Sequence, residues 1–461
     1  MLIPQDHIVR KVFVMSCLVG LLVVSGGITA ALALVIPPLL DPPPGTTLTS
    51  SSITFTGDHT SQDLEHKLRI GTTNGGSQIY YQTMPPNHSV TVSGLPSTGT
   101  IYVWYWTRNS GGWWVKTYTY TMDVGRTWNC AAGDATCLIN AITLANGSGN
   151  PEIIQLAAGI YSLENTIGNT SSLLPPITGN ITILGAGQDQ TIITSNLDPS
   201  RFFFRTFTVE ENAVLNGSGF SIVKGGSGIW NKGIVTINEI IISENRLQGP
   251  GVLNDQTGTM TIKNSTVANN GGSQGAGGGI VNHGTVEIVG STIRGNGQEY
   301  HGGIQNRGRM TIKASTVANN GASFSGGGIG NLEGAWLEIS NSLIQNNSAN
   351  HAGGIENLGK MTILRSVITG NEARVLFGNG GAIANSGVLE ISRTVIANNT
   401  ASGRGGGIIN FGGGLSLDRT IIAGNEAGED GGGVLDEVNG LISTQQTTIT
   451  NNTPNDCAGC P

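Results

Sequence analysis

Apolar and polar residues alternate in short runs that recur at a nearly constant interval through the second half of the chain. Residues 260–271 and 310–321 differ at one position in twelve and start 50 residues apart. Aligned on their shared STVANN sequence, nine copies end in an asparagine, and successive asparagines are 24 to 28 residues apart. Repetition of this kind predicts an array of similar units rather than a unique reaction site, because a catalytic centre needs residues that occur once. The nine asparagines are Asn245, Asn270, Asn296, Asn320, Asn347, Asn371, Asn399, Asn425 and Asn452.

Each repeat contains three short segments with the two-residue alternation of a β-strand. A GGGIxN-like segment comes first, a GTVEI-like segment follows, and the STVANN-like segment ends the repeat, with glycine or asparagine between them. No repeat has the period of an α-helix. Three strands in each coil, stacked on neighbouring coils by parallel pairing, predict an all-β fold: a right-handed three-strand parallel β-helix solenoid.

The predicted register places alternate residues of each GTVEI-like segment inside the coil. The residue between them forms an exposed column, in which a hydroxyl-bearing residue separates every glutamate from the next and so keeps like charges two coils apart. The recurrent asparagines are expected to form hydrogen-bonded ladders at the corners. The inward pairs are Val286 and Ile288, Met310 and Ile312, Met361 and Ile363, and Leu389 and Ile391; the exposed column is Thr236, Thr261, Glu287, Thr311, Glu338, Thr362, Glu390 and Ser416.

Both ends of a solenoid need covers, because an open coil exposes unpaired backbone groups and core side chains. Residues 134–147 predict a helix at the first end, capped by Asp134 or Thr136. Residues 456–460 are expected to tie down the last coil. The predicted apolar face of the helix contains Leu138, Ile139, Ile142 and Leu144.

Four cysteines form two close pairs, Cys130 with Cys137 and Cys457 with Cys460. In an exported chain each pair predicts a local disulfide bond. The alternatives for the second pair are half of a zinc site, a strained and reducible bridge, or two free thiols. A β-helix separates the two pairs by its own length, which excludes a bond between them.

Residues 45–123 differ in composition from the repeats, since they hold four of the seven tryptophans and six of the eight tyrosines. Residues 101–108 and 113–121 predict two strands joined by a turn. Alternation places Tyr102, Trp104 and Trp106 on one face and the residues between them on the other. One interpretation is an aromatic platform that stacks on sugar rings. The other is that one of the two faces is the core of a small antiparallel β-sandwich.

The N-terminal segment is apolar from residue 12 to residue 36 and follows Arg10 and Lys11. Its length is sufficient to span a bilayer, which predicts a transmembrane anchor with the rest of the chain outside the membrane. A cleaved signal sequence is the alternative, because residues 31–33 are typical of a cleavage site. The predicted organisation is residues 1–40 as signal sequence or anchor, 41–125 as Pro-rich linker and sandwich, 126–225 as cap helix and irregular coils, and 226–461 as regular repeats with a C-terminal cap.

Composition narrows the range of partners. Charged residues make up only 11% of the 461 residues, and the formal net charge is -7. A chain of this charge has no basic face for a phosphate backbone, so nucleic acid is excluded as a partner.

One stretch of the predicted rod brings together residue types that are able to do chemistry. Asp255, His283 and Arg307 follow the GGGIxN asparagine in successive coils, which places an acid, a base and a cation within reach of one another. The competing interpretation is a variable, solvated corner. Elsewhere in the repeats of this chain, the predicted register places no two carboxylates close enough together for a hydrolase.

Two further sets of charged residues are candidates for binding. Arg365, Arg393 and Arg419 occupy equivalent positions in three consecutive coils, where they would grip an anionic polysaccharide or simply stack in solvent beside Asp418. A group near the C-terminus is a candidate for Ca²⁺, the only cofactor that the sequence suggests. Its members are Glu426, Glu429, Asp430, Asp436 and Glu437.

The sequence also resembles known families in two places. Residues 45–57, 68–83 and 92–108 resemble a fibronectin-III/immunoglobulin-like module of bacterial exported proteins, which implies a spacer or binding role. Residues 137–163 resemble a divergent CSLREA-type motif with Leu-Ile-Asn in place of the usual Leu-Arg-Glu, so the role of those charged residues does not carry over. Together with residues 173–187 and the repeats, this region is similar to bacterial exported β-helix proteins with the pectin-lyase-like fold.

This resemblance implies two classes of function. The first is a cell-surface or secreted β-helix protein with a structural, adhesive or glycan-binding role, whose partners are envelope or extracellular polysaccharides or surface proteins. The alternative is an extracellular polysaccharide lyase or glycoside hydrolase that acts on a pectin-like or other acidic polysaccharide. Lyases need acidic residues on neighbouring coils to hold Ca²⁺, and the hydrolases need several close aspartates. The repeats show neither pattern, which favours the non-enzymatic class.

Overall fold

The computed structural model describes residues 40–460, apart from residues 49–50, 58–64, 87, 97, 110–111, 169–170, 198–203, 248, 273–277, 376–377 and 438–441. The predicted anchor at residues 12–36 lies outside the described residues. Within the described part of the chain, no helix combines the length and apolar character that a membrane crossing requires.

Residues 40–123 form two sheets that share one core. One sheet is antiparallel, with strands in the order Leu40–Asp41, Ser52–Gly57 and Ser89–Ser93. Side chains of both sheets, among them Phe55 and Tyr105, meet in a single buried cluster. The interpretation of one strand face as sandwich core is therefore confirmed. The second sheet has the order Thr47–Leu48, Gly112–Asp123, Thr98–Asn109, Glu65–Gly71 and Tyr80–Thr83, antiparallel except for its first pair.

Residues 127–458 form a parallel β-helix with three long sheets, in which each strand pairs in parallel with its counterpart in the next coil. The predicted fold class is confirmed. Sheet A contains Thr127–Cys130, Glu152–Leu156, Asn180–Leu184, Val214–Ser218, Ile234–Asn238, Thr259–Lys263, Thr285–Val289, Arg309–Lys313, Trp336–Ser340, Lys360–Leu364, Val388–Ser392, Gly414–Asp418 and Ile442–Gln445. Sheet B contains Gly159–Leu163, Thr191–Ser195, Ser221–Val223, Ile241–Ser243, Thr266–Ala268, Thr292–Arg294, Thr316–Ala318, Leu343–Gln345, Val367–Thr369, Val395–Ala397, Ile421–Ala423 and Thr448–Thr450. Sheet C contains Arg205–Val209, Ser227–Asn231, Val252–Asn254, Ile280–Asn282, Ile304–Asn306, Ile329–Asn331, Ile355–Asn357, Ile383–Asn385, Ile408–Asn410, Val434–Asp436 and Cys457–Ala458.

Short two-residue strands follow sheet B in most of the regular coils. The first two, Arg246–Leu247 and Gly271–Gly272, pair with each other. The later ones form a further sheet, here called sheet D. Sheet D contains Gly297–Gln298, Gly321–Ala322, Ser348–Ala349, Glu372–Ala373, Thr400–Ala401 and Glu426–Ala427.

The inward and outward positions of sheet A are the predicted ones. The inward pairs are at most 1% exposed, as at Met310 and Ile312. In the exposed column, Thr311 pairs with Glu287 on one side and Glu338 on the other. Each buried aliphatic side chain of this kind stabilises the fold by about 2 kcal/mol relative to an exposed one.

Two columns of buried asparagines form the predicted ladders. In each, the amide Nδ2 donates to Oδ1 of the asparagine in the next coil, at 2.7 to 3.1 Å. The same amides also bond backbone carbonyls, as Asn331 does to Lys360 at 3.2 Å. The first ladder contains Asn231, Asn254, Asn282, Asn306, Asn331, Asn357, Asn385 and Asn410, and the second contains the nine STVANN-type asparagines.

The first coil is covered by the helix Ala135–Asn146, whose N-cap is Asp134, with a carboxylate that accepts from Cys137 N at 2.9 Å. The predicted apolar face needs one correction. Leu144 is 54% exposed, because the buried stripe follows the helical spacing through smaller side chains. That stripe is Leu138, Ala141, Ile142 and Ala145.

Both predicted disulfide bonds are present. Cys130 and Cys137 have Cα atoms 5.5 Å apart and join the first strand of sheet A to the cap helix. Cys457 and Cys460, with Cα atoms 5.9 Å apart, lie at the opposite end, in the last strand of sheet C and just after it.

Candidate functional site

A groove of about 930 Å³ lies on the coils that contain residues 297–374. The floor of the groove is open because the sheet D strands Gly297–Gln298 and Gly321–Ala322 both begin with glycine. The next two strands begin instead with Ser348 and Glu372, which have side chains at this position. Glycine leaves the space of a side chain empty. The polar and aromatic groups that line the groove include Gln298, Glu299, Asn319, Phe324, Asn346 and Arg374.

Two aromatic rings stack at this groove. Phe324 lines it, and the Phe324 ring lies on the Tyr300 ring with centroids 4.8 Å apart and an angle of 16° between the planes. Both side chains are 44% exposed. The pair therefore presents an apolar ring face to solvent beside amide and charged groups, which is the composition of a binding site for a polar ring-shaped ligand.

The charges along the groove nearly cancel. Arg374 Nε lies 3.3 Å from Glu372 Oε2, and both side chains are more than half exposed. Glu299 adds a further carboxylate to the lining. Since the one arginine among the described lining residues already faces a carboxylate, these residues supply no excess positive charge with which to attract an anion.

Beneath the aromatic pair lies a buried polar network. His301 Nε2 is 2.8 Å from Glu356 Oε2, and Ser325 Oγ donates to Glu356 Oε1 at 2.7 Å. On the other side of the imidazole, Gln305 Nε2 lies 3.1 Å from His301 Nδ1. His301 is 4% exposed and Gln305 is 2% exposed. One carboxylate thus connects residues of three consecutive coils.

Two glycines make room for this network. The central residues of the sheet C strands point away from the core, and in successive coils they are Gln305, Gly330 and Glu356. A Cβ at Gly330 would overlap the His301 ring, and a Cβ at Gly326 would lie 2.6 Å from it. The imidazole therefore fills the space that a side chain at residue 330 would otherwise take.

His301 reaches this position through an uncommon backbone conformation. Its φ is 54°, in the left-handed region, and the equivalent residues of later coils, Gly326, Ala352, Gly380 and Gly405, also have positive φ. Histidine pays more for this conformation than glycine, by roughly 1 kcal/mol. The strain is offset by the hydrogen bonds of the buried network.

Electrostatics favour the ionised form of Glu356. Burial by itself raises the pKa of this carboxyl, but the hydrogen bonds from His301 and Ser325 outweigh burial, so the pKa lies below its ordinary value. Because an ionised carboxylate only accepts hydrogen bonds, His301 Nε2 donates to Glu356 Oε2, and Gln305 Nε2 lies 3.1 Å from His301 Nδ1. The serine bonds the carboxylate and not the imidazole, so this arrangement does not activate a nucleophile.

The structure brings Asp255, His283 and Arg307 together in three successive coils, as predicted, but these residues do not line the groove. Burial lowers the pKa of His283, Arg307 lowers it further, and Asp255 opposes both. The imidazole is therefore neutral at pH 7. The Asp255 carboxylate accepts from Trp230 Nε1 at 3.3 Å and from Gln256 N at 2.8 Å.

The predicted arginine column exists, with φ of 48°, 52° and 48° at Arg365, Arg393 and Arg419. Arg419 Nε donates to Gln446 Oε1 at 2.9 Å and lies 3.8 Å from Asp418 Oδ1. Arg419 therefore lies beside Asp418, as the second interpretation of this column expects.

The predicted aromatic platform of the sandwich is partly closed. Trp104 is only 8% exposed, since the Arg69 guanidinium lies over its ring at 5.3 Å and Tyr102 stacks beside it at 6.1 Å. Trp106 packs edge-on against Tyr81 at 6.3 Å. The ring faces open to a ligand are at the margins of this sheet, where Tyr81 is 59% exposed.

The predicted calcium cluster does not assemble. Glu429 and Glu437 both pair with Arg404. Asp430 accepts from Asn455 Nδ2 at 2.7 Å, and Asp436 accepts from the ladder at 3.0 Å. Over the described residues, no three His, Cys, Asp or Glu side chains are grouped so as to hold a metal ion. Glu426 is the exposed first residue of its sheet D strand. Partners within the protein occupy most of these carboxylates.

Sequence reasoning missed both the groove and the network below it. Neither His301 nor Glu356 was among its candidate residues. One signal was present: Gly330 interrupts a column that has glutamine in the coil before and glutamate in the coil after. A break in a repeat pattern marks such a place, but only the three-dimensional structure shows that the His301 ring fills the space at Gly330.

No family model matches the chain, and no curated protein matches it either. Among solved structures, a GH87 α-1,3-glucanase catalytic domain in complex with tetrasaccharides is 13% identical, with a TM-score of 0.38 and 89% of each chain covered. The Agl-KA catalytic domain is 12% identical, with a TM-score of 0.37 and coverage of 87% of this chain and 86% of that one. The Yersinia enterocolitica family 28 exopolygalacturonase is 10% identical, with a TM-score of 0.29 and coverage of 91% and 100%.

The chain also spans 66% of the length of a protein from Geobacillus virus E2, with 11% identity and a TM-score of 0.31. Similarity at these scores does not indicate what this chain does. The fold rests on the sheets themselves: the chain is an N-terminal β-sandwich followed by a parallel β-helix.

Proposed function

We propose that the protein binds a neutral polysaccharide in the glycine-floored groove of its β-helix. The observation that carries this proposal is the exposed Tyr300–Phe324 stack beside the amides of Asn319 and Asn346. The C–H face of a sugar ring packs on an aromatic face, and its hydroxyls exchange hydrogen bonds with amide and carboxylate groups. An open groove accepts a chain that extends beyond it in both directions.

A neutral chain fits this groove better than an acidic one. Among the described residues, Arg374 is the only cationic one in the lining, and Glu372 pairs with it. Glu299 would repel a uronate at the same surface. The acidic substrates expected from the sequence are thus not favoured at this site.

The test is a substitution at the aromatic pair. For the full chain with Phe324→Ala, we expect the affinity for a soluble neutral glucan to fall about fivefold to tenfold, since a lost aromatic stacking contact is worth about 1 kcal/mol. Affinity electrophoresis or calorimetric titration over a panel of neutral glucans, with polygalacturonate and alginate as acidic counterparts, measures the change.

The matched control is Phe411→Ala, which removes a phenylalanine of similar exposure, 38%, from another part of the β-helix. This variant should bind as the unmodified chain does. The proposal fails if Phe324→Ala retains full affinity, or if both variants lose affinity equally.

Cleavage of a polysaccharide is a second candidate function, supported by the Asp255, His283 and Arg307 cluster. Its neutral imidazole, flanked by a carboxylate and a guanidinium, has the protonation state of a general base. An assay for reducing ends and unsaturated products on the same panel, with and without Ca²⁺, tests it. Turnover that His283→Ala abolishes would establish an enzyme.

We also propose an extracellular or cell-surface location. Disulfide bonds persist in oxidising compartments, and this chain closes both ends of its β-helix with one. In this arrangement the sandwich acts as a spacer between the envelope and the groove.

A further inference from the structure

Each residue that bonds Glu356 comes directly after one ring of the aromatic pair. Tyr300 precedes His301, and Phe324 precedes Ser325. The two donors bond different oxygens of the carboxylate, at 2.8 Å and 2.7 Å. The loops that carry the two rings lie on successive coils, and both are therefore tied to one charged group on the third.

We infer that Glu356 is a positioning residue that holds the Tyr300 and Phe324 rings in the stacked geometry required for sugar binding. This inference rests on the proposed function of the groove. The carboxylate does not touch the ligand in this scheme. It fixes the backbone of both loops, so that the ring faces are already parallel before the ligand arrives and less conformational entropy is lost on binding.

The fold itself does not require a carboxylate at this place. In later coils the loops pass over the same column of sheet C, where the central residues are Ala384, Ile409 and Leu435. Together with Ala352 these form a small apolar cluster. Burial of a charged group costs free energy that an alanine or leucine does not. The polar network occurs where the aromatic pair lies, and the apolar version suffices elsewhere.

The orientation of Gln305 supports a precise fit of the imidazole. Its Oε1 is buried and has no hydrogen-bond partner among the described residues. The amide nevertheless directs Nε2 to His301 Nδ1, at 3.1 Å. An unpaired buried oxygen is tolerated only where a neighbouring contact compensates for it.

The variant Glu356→Gln tests the inference, because it keeps the size of the side chain and removes its charge. An amide has one acceptor oxygen, so its nitrogen has to donate to Ser325 Oγ where the carboxylate accepted, and both bonds lose the strengthening effect of the charge. Without ligand, we expect the amides of residues 299–303 and 323–328 to exchange with deuterium roughly tenfold faster, with other coils unchanged. Affinity for the neutral glucan should fall about threefold to tenfold.

The control is Ile339→Val, a core substitution in sheet A that lowers the stability of the same part of the β-helix by about 1 kcal/mol. It should leave both the local exchange and the affinity unchanged, which separates positioning from general stability. If Phe324→Ala weakens binding and Glu356→Gln does not, the positioning role fails and the groove function stands. If Phe324→Ala has no effect, the groove function fails, and the exchange experiment alone decides whether Glu356 holds the loops.

Discussion

At the scale of single residues, the site depends on equivalent positions of neighbouring coils that hold glycine in one coil and a larger residue in another. His301 takes a left-handed conformation that glycine or alanine has in the later coils, and Gly330 supplies the space for its ring. Gly297 and Gly321 open the groove in the same way, by leaving out side chains that Ser348 and Glu372 provide next to them. The absence of side chains at these glycines therefore shapes both the groove and the network.

A methyl group at residue 330 tests this reasoning. Gly330→Ala would place its Cβ inside the His301 ring, so the imidazole has to move and its bond to Glu356 is lost. We expect the free energy of unfolding of the β-helix to fall by about 1–3 kcal/mol, as measured by the midpoint of chemical denaturation.

Gly414→Ala is the matched comparison, because a Cβ at that glycine of sheet A meets nothing within 4 Å. Its effect should be neutral or stabilising by up to about 1 kcal/mol. Equal midpoints for the two variants would contradict the account of Gly330 as a space that the imidazole fills.

At the scale of elements, the asparagine ladders have a direction. Each amide donates toward the C-terminal end, so the last residue of a ladder needs only to accept. Asp436 ends the first ladder and accepts from Asn410 at 3.0 Å, and Asp456 accepts from Asn452 at 3.0 Å. A carboxylate has acceptors and no donor, which suits the end of a ladder and no other place in it.

Reciprocal substitutions test the direction of the ladder. Asn331→Asp in the middle would point a buried carboxylate at Asn357 Oδ1 and at the Lys360 carbonyl, which now accept at 2.8 and 3.2 Å. We expect a loss of roughly 3–5 kcal/mol in the free energy of unfolding. Asp436→Asn at the end should change it by less than about 1 kcal/mol. Denaturation of both variants measures the contrast, and similar losses would refute a directional ladder.

At the scale of the whole molecule, two separate cores hold the chain together. The core of the sandwich and that of the β-helix share no residue in the described part of the chain. The β-helix core continues from coil to coil, so each coil depends on its neighbours. The sandwich core is closed within residues 40–124 and does not depend on the repeats.

Two cores predict two unfolding transitions. Phe55→Ala removes a fully buried ring from the sandwich. It should lower the free energy of unfolding of the sandwich by about 3–5 kcal/mol and shift its transition to lower temperature. Ile312→Ala should lower only the free energy of unfolding of the β-helix, by about 2–5 kcal/mol, and leave the transition of the sandwich unchanged. Scanning calorimetry of the full chain separates these effects. A single transition that shifts equally in both variants would show instead that the two cores unfold as one unit.

The sequence predicted the parallel coils, the inward residues of sheet A, the asparagine ladders, both disulfide bonds and the capping helix. These features repeat or lie close together along the chain, so the alternation of apolar and polar residues is enough to find them. Leu144 was misplaced on the helix, because small alanines rather than large side chains complete its buried stripe. The calcium site stays a prediction, but proximity in sequence did not reveal that Arg404 pairs with Glu429 and Glu437 or that the ladder bonds Asp436.

The architecture of the β-helix follows from the sequence alone, because a period of 24 to 28 residues with three alternating segments leaves few other ways to pair the strands. The tertiary structure decided where the site lies. His301 and Glu356 are 55 residues apart in sequence, and the stacking of coils brings them into contact across a glycine. Periodicity shows which residues face outward, but only the packed loops show which of the outward residues meet.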